Sequence, residues 1–325
     1  MRLSYLIKRI LLMIPQIIGI TIISFAIIHL APGEPTGLSG ELNPKITKEA
    51  RERLRHYYGL DSPLRVQYLK WFSRVARLDF GESFGLDHRP VMDKVIERLP
   101  ITILINAAAM LIILATAIPI GVISAYMRGS FFDRSTTLLV YIGFATPSFW
   151  LAILLMMLFG VKLGWLPISG LATVGCDVPS ALHWFIDRAN HLVLPLFVAA
   201  FGGVAGFSRY MRSNMLDALS QDYVRTARAK GCEEQRVIFI HAMRNALLPV
   251  ITLLGLSVPA LMSGSVIFET IFAIPGMGQL MFQSVMARDY PVIMAVLVLS
   301  SFLTLLGNLL ADLGYALTDP RIKIG

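Results

Sequence analysis

Long runs of apolar residues dominate this chain, and the charged residues lie in the segments between them. Six stretches of 20 to 29 residues contain no Asp, Glu, Lys or Arg. A helix needs about 20 apolar residues to cross the hydrocarbon core of a bilayer, so each stretch predicts one membrane span. The predicted spans cover residues 10–33, 99–127, 135–161, 189–208, 245–268 and 290–311.

A seventh charge-free stretch, residues 270–287, has a different character. It contains Pro275, Gly276 and Gly278, which interrupt helices, and Gln279 and Gln283, which are costly to expose to lipid. We interpret it as a re-entrant or surface segment rather than a further span.

The spans divide the chain into three parts. Residues 1–33 form a tail and the first span, residues 34–98 an inserted polar segment, and residues 99–325 a core with the other five spans. Within the insertion, helical spacing and capping residues predict helices at 48–58 and 64–77, and a third that Pro90 opens. The predicted fold is an all-α membrane protein of six transmembrane helices with an inserted helical segment.

Composition supports a membrane protein. Apolar residues make up 55% of the chain and charged residues 15%, against about 25% in ordinary soluble domains. Mean hydropathy is +0.66. These values exclude a soluble enzyme, a disordered protein and a disulfide scaffold. The net charge of +8 is explained by basic loops at a membrane and does not indicate a nucleic-acid partner.

The distribution of Lys and Arg predicts the orientation. The two termini and the loops on their side carry fourteen, whereas the short loops on the opposite side carry three. Basic residues accumulate on the cytoplasmic side, so we expect both termini in the cytoplasm. The insertion of 65 residues lies outside, because long segments are translocated largely regardless of charge. Cys176 and Cys232 then lie on opposite sides, and we expect no disulfide between them.

The loop at 209–244, between predicted spans four and five, has a helical pattern. Ser220 is the expected N-cap of a first helix, with Asp222 in its first turn, where the helix dipole favours an acid. Gly231 falls where a helix commonly ends in the left-handed conformation, and Glu233 begins a second helix. The residues of interest are Asp222, Tyr223, Arg225, Thr226, Ala227, Arg228, Ala229, Lys230, Gly231 and Glu233.

This helix–glycine–helix element, which we call the elbow, permits two interpretations. It is a rigid lever that carries force from a soluble partner into span five. Alternatively, it is an amphipathic surface helix whose basic residues touch lipid headgroups. The pattern alone leaves both open.

The elbow resembles a known family. Residues 222–231 read DYVRTARAKG and residues 241–249 read HAMRNALLP, which resembles the EAA loop of ABC-importer permeases, most closely the peptide/nickel branch. The general signature would place Glu-Ala-Ala at 225–227, where only Ala227 agrees. Other stretches similar to that branch are LDFGES at 78–83, PSFWLA at 147–152, FETIFAIPGMG at 268–278, RDYPV at 288–292 and DPRI at 319–322.

The resemblance implies an assembly. The long segment after span one resembles the first of two paired permeases, so the expected partners are a second homologous permease, two ABC ATPase subunits and an extracytoplasmic substrate-binding protein. Membrane lipid is also expected to contact the chain. The chain has no Gly-Lys pair and hence no phosphate-binding loop. ATP and Mg would be used by the ATPase subunits, and this chain would bind no cofactor. The implied location is a bacterial cytoplasmic membrane.

Two other classes of membrane protein are alternatives, an intramembrane protease and a secondary transporter. An intramembrane protease would pair a membrane serine, for which Ser257 is the best candidate, with His29 or His191. A serine in a spanning helix more often bonds its own i−4 carbonyl or permits close packing. A secondary transporter usually places an ionisable residue within a span, and the predicted spans contain no Asp, Glu, Lys or Arg. Glu269, Asp289 and Asp312 read as boundary residues. The sequence contains no H-E-x-x-H motif, the pattern that would indicate a zinc site.

Span five is the candidate lining of a translocation pathway. Gly255, Ser257, Ser263 and Gly264 give it a small, polar character, and the elbow leads directly into it. Close helix packing alone would explain the same residues. The resemblance implies di- and oligopeptides as substrates, with nickel chelates and glutathione as alternatives.

Overall fold

The computed structural model describes residues 3–30, 49, 52–53, 56, 59–85, 87–173, 175, 180–258 and 260–318. These residues are mainly helical, and the β-type pairing among them is a bridge between Glu82 and Pro90. The helices are α1 Leu3–Leu30, α2 Leu64–Val75, α3 Val91–Tyr126, α4 Phe131–Ala145, α5 Ser148–Lys162, α6 Ala181–Leu219, α7 Asp222–Ala229, α8 Glu234–Ala246, α9 Leu248–Ser257, α10 Ala260–Ser263, α11 Val266–Ile271, α12 Met277–Ala287 and α13 Tyr290–Thr318.

Four of these helices, α1, α3, α6 and α13, are long and apolar enough to cross a membrane. Two bent pairs add two further spans if each pair is counted as one: α4 with α5, bent by 100°, and α8 with α9, bent by 43°. The break between α4 and α5 falls at Thr146 and Pro147, since proline disfavours a helical conformation in the preceding residue. The predicted all-helical membrane fold is confirmed.

Span five differs most from the prediction. A single helix over residues 245–268 is wrong, because the structure divides this region into α9, α10 and α11. Gly264 has a φ of +68°, in the left-handed region, and cannot continue a helix. Ser265 then begins α11 with an extended backbone, and its hydroxyl accepts a hydrogen bond from the Phe268 N–H.

The insertion is partly as expected. The predicted helix at 48–58 lies mostly outside the described residues, while the second is confirmed as α2. The third begins after Pro90 as predicted, but it continues through the second span to Tyr126. The predicted boundary between the insertion and the core, at residues 98 and 99, therefore lies inside one continuous helix.

Helix α6 is also longer than the predicted span at 189–208. Residues 209–219, assigned to the loop, continue the helix because Met211, Met215 and Ala218 recur at helical spacing and are buried. The elbow therefore begins at Ser220. We call this end of the bundle the elbow end, and the opposite end, where α2 lies, the insertion end.

Helices α3 and α6 make the most extensive helix contact in the bundle, and α4 packs on α6. Small residues let the backbones approach. A Cβ on Gly121 would lie 2.6 Å from Cβ of Met211, and one on Gly143 would lie 2.8 Å from Cβ of Ala205. These contacts join α3, α4 and α6 into one closely packed unit that carries the elbow.

Candidate functional site

The first elbow helix ends in the geometry that the sequence predicts. Gly231 has a φ of +77°, and its N–H donates to the Arg228 carbonyl at 2.9 Å. The Cys232 N–H donates to the Ala227 carbonyl at 3.2 Å. These two bonds form a Schellman motif, which satisfies carbonyls at the helix end and turns the chain into α8. The left-handed conformation predicted for Gly231 is confirmed.

The start of the elbow differs from the prediction. Ser220 does not cap α7, because it ends the extended helix α6 and its hydroxyl donates to the Asp217 carbonyl at 2.8 Å. Gln221 occupies the N-cap position, with no side-chain capping bond. Asp222 is the first residue of α7, where the helix dipole favours an acid.

Two side chains anchor α7 in the bundle. Val224 is fully buried and Ala227 is 8% exposed, one turn apart on the inner face. Burying a valine side chain contributes about 1.5 to 3 kcal/mol. The surrounding apolar cluster draws on five helices: Val122 and Ala125 of α3; Met211, Met215 and Ala218 of α6; Val224 and Ala227 of α7; Val237, Ile238, Ala242 and Ala246 of α8; and Val250 of α9.

The other face of the elbow is open to the surroundings. The side chain of Asp222 is 94% exposed and that of Arg225 is 73% exposed. Of the residues singled out by sequence, only Ala227 points into the bundle. The exposed ones are Asp222, Tyr223, Arg225, Thr226, Arg228, Ala229, Lys230, Gly231 and Glu233. The outer face of α7 is thus polar and basic, with Tyr223 as its aromatic side chain.

A salt bridge braces the two elbow helices. Arg228 donates two hydrogen bonds to Glu234, at 2.7 and 3.1 Å, and this pairing raises the pKa of the Arg228 guanidinium. Both side chains are about two-fifths exposed, so the pair contributes at most about 1 kcal/mol. It holds α7 and α8 at a defined angle across Gly231.

A second ion pair at the elbow end is not evident from the sequence. Arg212 of α6 donates to Asp133 of α4 through Nε at 2.6 Å and Nη2 at 2.8 Å. Both residues read as ordinary loop charges in the sequence, because they lie just outside apolar stretches. Their 79-residue separation leaves no local pattern that would pair them.

The insertion end is closed by a tightly packed polar cluster. One carboxylate oxygen of Glu269 accepts from the Thr102 hydroxyl at 3.1 Å and the other from the Gln279 N–H at 3.0 Å. Thr102 in turn accepts from the Met277 N–H at 2.8 Å. A Cβ on Gly276 would lie 2.5 Å from the Glu269 carboxylate. We call Thr102, Glu269, Gly276 and Gly278 the glycine knot.

Glu269 and Asp289, which the sequence predicts as boundary residues, are both buried within the fold, at 4% exposed. Asp289 accepts hydrogen bonds from the hydroxyl of Ser83 and, at 3.0 Å, from the N–H of Phe84. Two stretches singled out by resemblance, 78–83 and 288–292, therefore meet here. Buried carboxylates with several donors stabilise the junction between α12, α13 and the insertion.

The pathway candidates on span five have separate environments. Gly255 and Ser257 are half-buried on α9, and the Ser257 hydroxyl donates to the Leu253 carbonyl at 2.8 Å. This is the i−4 bond expected of a structural serine. Gly264 packs against the glycine knot, where its Cβ would lie 2.7 Å from the Gly278 nitrogen. Ser263 ends α10, and its side chain lies outside the described part of the chain.

The protease alternative needs a Ser–His pair. Among the described contacts, His29 bonds the Phe25 carbonyl and Gln67, and His191 bonds the Asp187 carbonyl. Neither histidine contacts Ser257. Within the same described residues, no group of three His, Cys, Asp or Glu side chains is arranged to hold a metal ion. Cys232 is free, and Cys176, with which no disulfide is expected, lies outside the described residues.

Comparison with known proteins agrees with the resemblance in the sequence. The family model "Binding-protein-dependent transport system inner membrane component" matches residues 117–324. The model "Binding-prot-dependent transport system membrane comp, N-term" matches residues 2–106.

Curated relatives match over nearly their whole length. The oligopeptide transport system permease protein AppB of Bacillus subtilis is 47% identical, over 98% of this chain and 99% of its own. The di/tripeptide transport system permease protein DppB of Pseudomonas aeruginosa is 39% identical, over 99% of both chains. A putative peptide permease protein of Brucella suis is 38% identical, also over 99% of both. The chain therefore belongs to the family of inner membrane components of binding-protein-dependent transport systems, and it is a transport permease component rather than an enzyme.

Proposed function

We propose that the chain is a permease subunit of an ATP-driven importer that carries di- and oligopeptides across a bacterial cytoplasmic membrane. The peptide transport named for relatives such as AppB and DppB supports the substrate class. The proposed assembly contains a second homologous permease, two ATPases that bind ATP and Mg, and an extracytoplasmic binding protein. In the proposed orientation, both termini and the elbow face the cytoplasm.

The observation that carries the proposal is the construction of the elbow. Val224 and Ala227 fix α7 to a core shared by five helices, while its polar face, with Tyr223 and Arg225, stays free. Exposed Tyr and Arg are residue types that dominate binding energy in protein interfaces. A helix that is anchored on one side and open on the other suits docking into a groove of a soluble ATPase.

The elbow also leads mechanically into the bundle. The Schellman turn at Gly231 joins α7 to α8, and α8 runs into α9 across a 43° bend. Closure of the ATPases on ATP would displace α7 and swing α8 and α9 with it. Alternation between inward-open and outward-open states follows from such a two-state movement, with hydrolysis resetting the transporter.

Reconstitution tests this function. Proteoliposomes containing the complete complex, with purified binding protein outside and ATP inside, should accumulate a radiolabelled dipeptide and a labelled hexapeptide. A non-hydrolysable ATP analogue should abolish accumulation. Unlabelled peptides should compete with this uptake. If unlabelled glutathione or a nickel–histidine chelate competes and unlabelled peptides do not, the substrate is one of the alternatives.

The control is the chain without its partners. Proteoliposomes that contain this chain alone should show no uptake when a pH gradient is imposed. Uptake under that condition would contradict the proposal and indicate a secondary carrier.

A further inference from the structure

We propose that Asp133 and Arg212 form a positioning pair that makes α3, α4 and α6 follow the elbow as one body. This inference rests on the proposed function, because it assigns the pair a role in transmitting movement from the ATPases. The pair acts by holding three helices in a fixed relation at the elbow end.

The carboxylate of Asp133 joins four parts of the chain. It accepts two hydrogen bonds from Arg212 of α6, one from the Ser124 hydroxyl of α3 at 2.6 Å, and one from the Gly129 N–H of the connecting loop at 2.9 Å. Asp133 itself lies in the first turn of α4, where its own N–H donates to the Ser130 cap at 3.2 Å. Movement of one helix relative to the others would break these bonds.

The pair lies directly beside the elbow core. Arg212 follows Met211 and precedes Met215 by three residues on α6, and both methionines are fully buried against α7 and α8. On α3, Ser124 lies between Val122 and Ala125, which belong to the same apolar cluster. One side of this short stretch therefore contacts the elbow, and the other is tied to α4.

The energetics favour a positioning role over a purely stabilising one. The Asp133 side chain is 6% exposed and that of Arg212 is 30% exposed. The free energy needed to remove two charges from water offsets much of their mutual attraction in a buried ion pair. Replacing such a pair with apolar residues is therefore often neutral for stability. A bidentate Arg–carboxylate pair does, however, define orientation, because the planar guanidinium fits the two oxygens in one geometry.

The rest of the bundle contrasts with this unit. The breaks and bends that follow the elbow lie between α8 and α11, at Leu247, after Ser257 and at Gly264. Helices α3 and α6 run without interruption through 36 and 39 residues. The positioning pair thus belongs to a continuous body that moves with the elbow, and the jointed helices α9–α11 form the arm that moves against it.

The test compares transport with hydrolysis in the complete complex. Asp133→Asn keeps the shape of the side chain and removes its charge. We expect the number of peptides taken up per ATP hydrolysed to fall about tenfold, while complex yield and ATP hydrolysis stay within twofold of the parent. The double variant Asp133→Asn/Arg212→Gln removes both buried charges and should show the same loss, which keeps the test valid if the single variant assembles poorly.

A matched control is the Arg74–Asp79 pair at the insertion end, which is also bidentate, at 2.9 and 3.3 Å. Asp79→Asn should leave the ratio of uptake to hydrolysis unchanged. If the ratio of uptake to hydrolysis in the Asp133 variants equals that of the parent, the positioning role is wrong. This includes the case in which uptake and hydrolysis fall by the same factor. If the parental complex itself shows no ATP-driven uptake, the proposed function fails and this inference fails with it.

Discussion

Replacing Gly276 with valine is expected to lower the free energy of unfolding by about 3 kcal/mol or more, because the glycine knot has no space for a side chain. Its Cβ would lie 2.5 Å from the Glu269 carboxylate and 2.6 Å from the Thr102 hydroxyl. Separating these buried groups would break the bonds that close the insertion end. The measurement is thermal unfolding of the purified chain in detergent, together with its abundance in the membrane.

Gly202 provides the matched control for this change. It lies within α6, and among the described residues a Cβ there would meet no atom within 4 Å beyond its chain neighbours and the adjacent turns of its own helix. Gly202→Val should therefore unfold near the parental temperature. Equal unfolding temperatures for the Gly276 and Gly202 variants would show that the glycine knot tolerates rearrangement at little cost.

Reversing the charge of Arg225 is expected to weaken association with the ATPase subunits by at least about 30-fold, the loss typical of an interface hot spot. Among the described residues, the Arg225 side chain pairs with Asp222 at 3.5 Å and is 73% exposed. Arg225→Glu should consequently leave folding and membrane insertion unchanged. Co-purification of the ATPases with the tagged chain, as a function of ATPase concentration, measures the effect.

Arg77→Glu is the control, since Arg77 is an exposed arginine at the insertion end. It should retain the ATPases fully. Parental ATPase association in the Arg225 variant would argue against the lever and in favour of the amphipathic surface helix. That alternative predicts that Arg225→Glu instead reduces binding of the elbow to anionic lipid.

The sequence predicts the features that depend on local patterns. Long apolar runs locate the helices because a bilayer excludes unpaired backbone groups and allows few charges. Gly231 is identified because few other residues tolerate a left-handed helix end, and the structure confirms it with a φ of +77°. Resemblance adds the family, which the comparisons confirm over most of the chain.

Features that depend on contacts between distant residues are not predictable in this way. Asp133 and Arg212 are ordinary loop charges until α4 and α6 pack together. Glu269 and Asp289 read as boundary residues, and only the fold supplies donors from Thr102 and Phe84. The division of span five also escapes hydropathy, because Gly264 is apolar enough to belong to a span yet adopts a conformation that ends it.

The prediction for Ser220 fails for a related reason. A serine before an acidic first turn is a typical N-cap, but α6 extends to Leu219 and Ser220 becomes its C-cap. The additional turns form because Met211 and Met215 can be buried against the elbow. Tertiary packing therefore determines where one helix ends and the next begins.

Site-specific photo-crosslinking in intact cells tests the role of the elbow most directly. A benzophenone amino acid in place of Tyr223 keeps an aromatic ring on the exposed face of α7, and the same group at Ser62 serves as the insertion-end control. The elbow proposal predicts a light-dependent adduct between position 223 and an ATP-binding subunit, with no such adduct from position 62. Crosslinking of position 223 to lipid alone, without any ATPase adduct, would contradict the coupling role. Crosslinking to an extracytoplasmic protein would also contradict the proposed orientation.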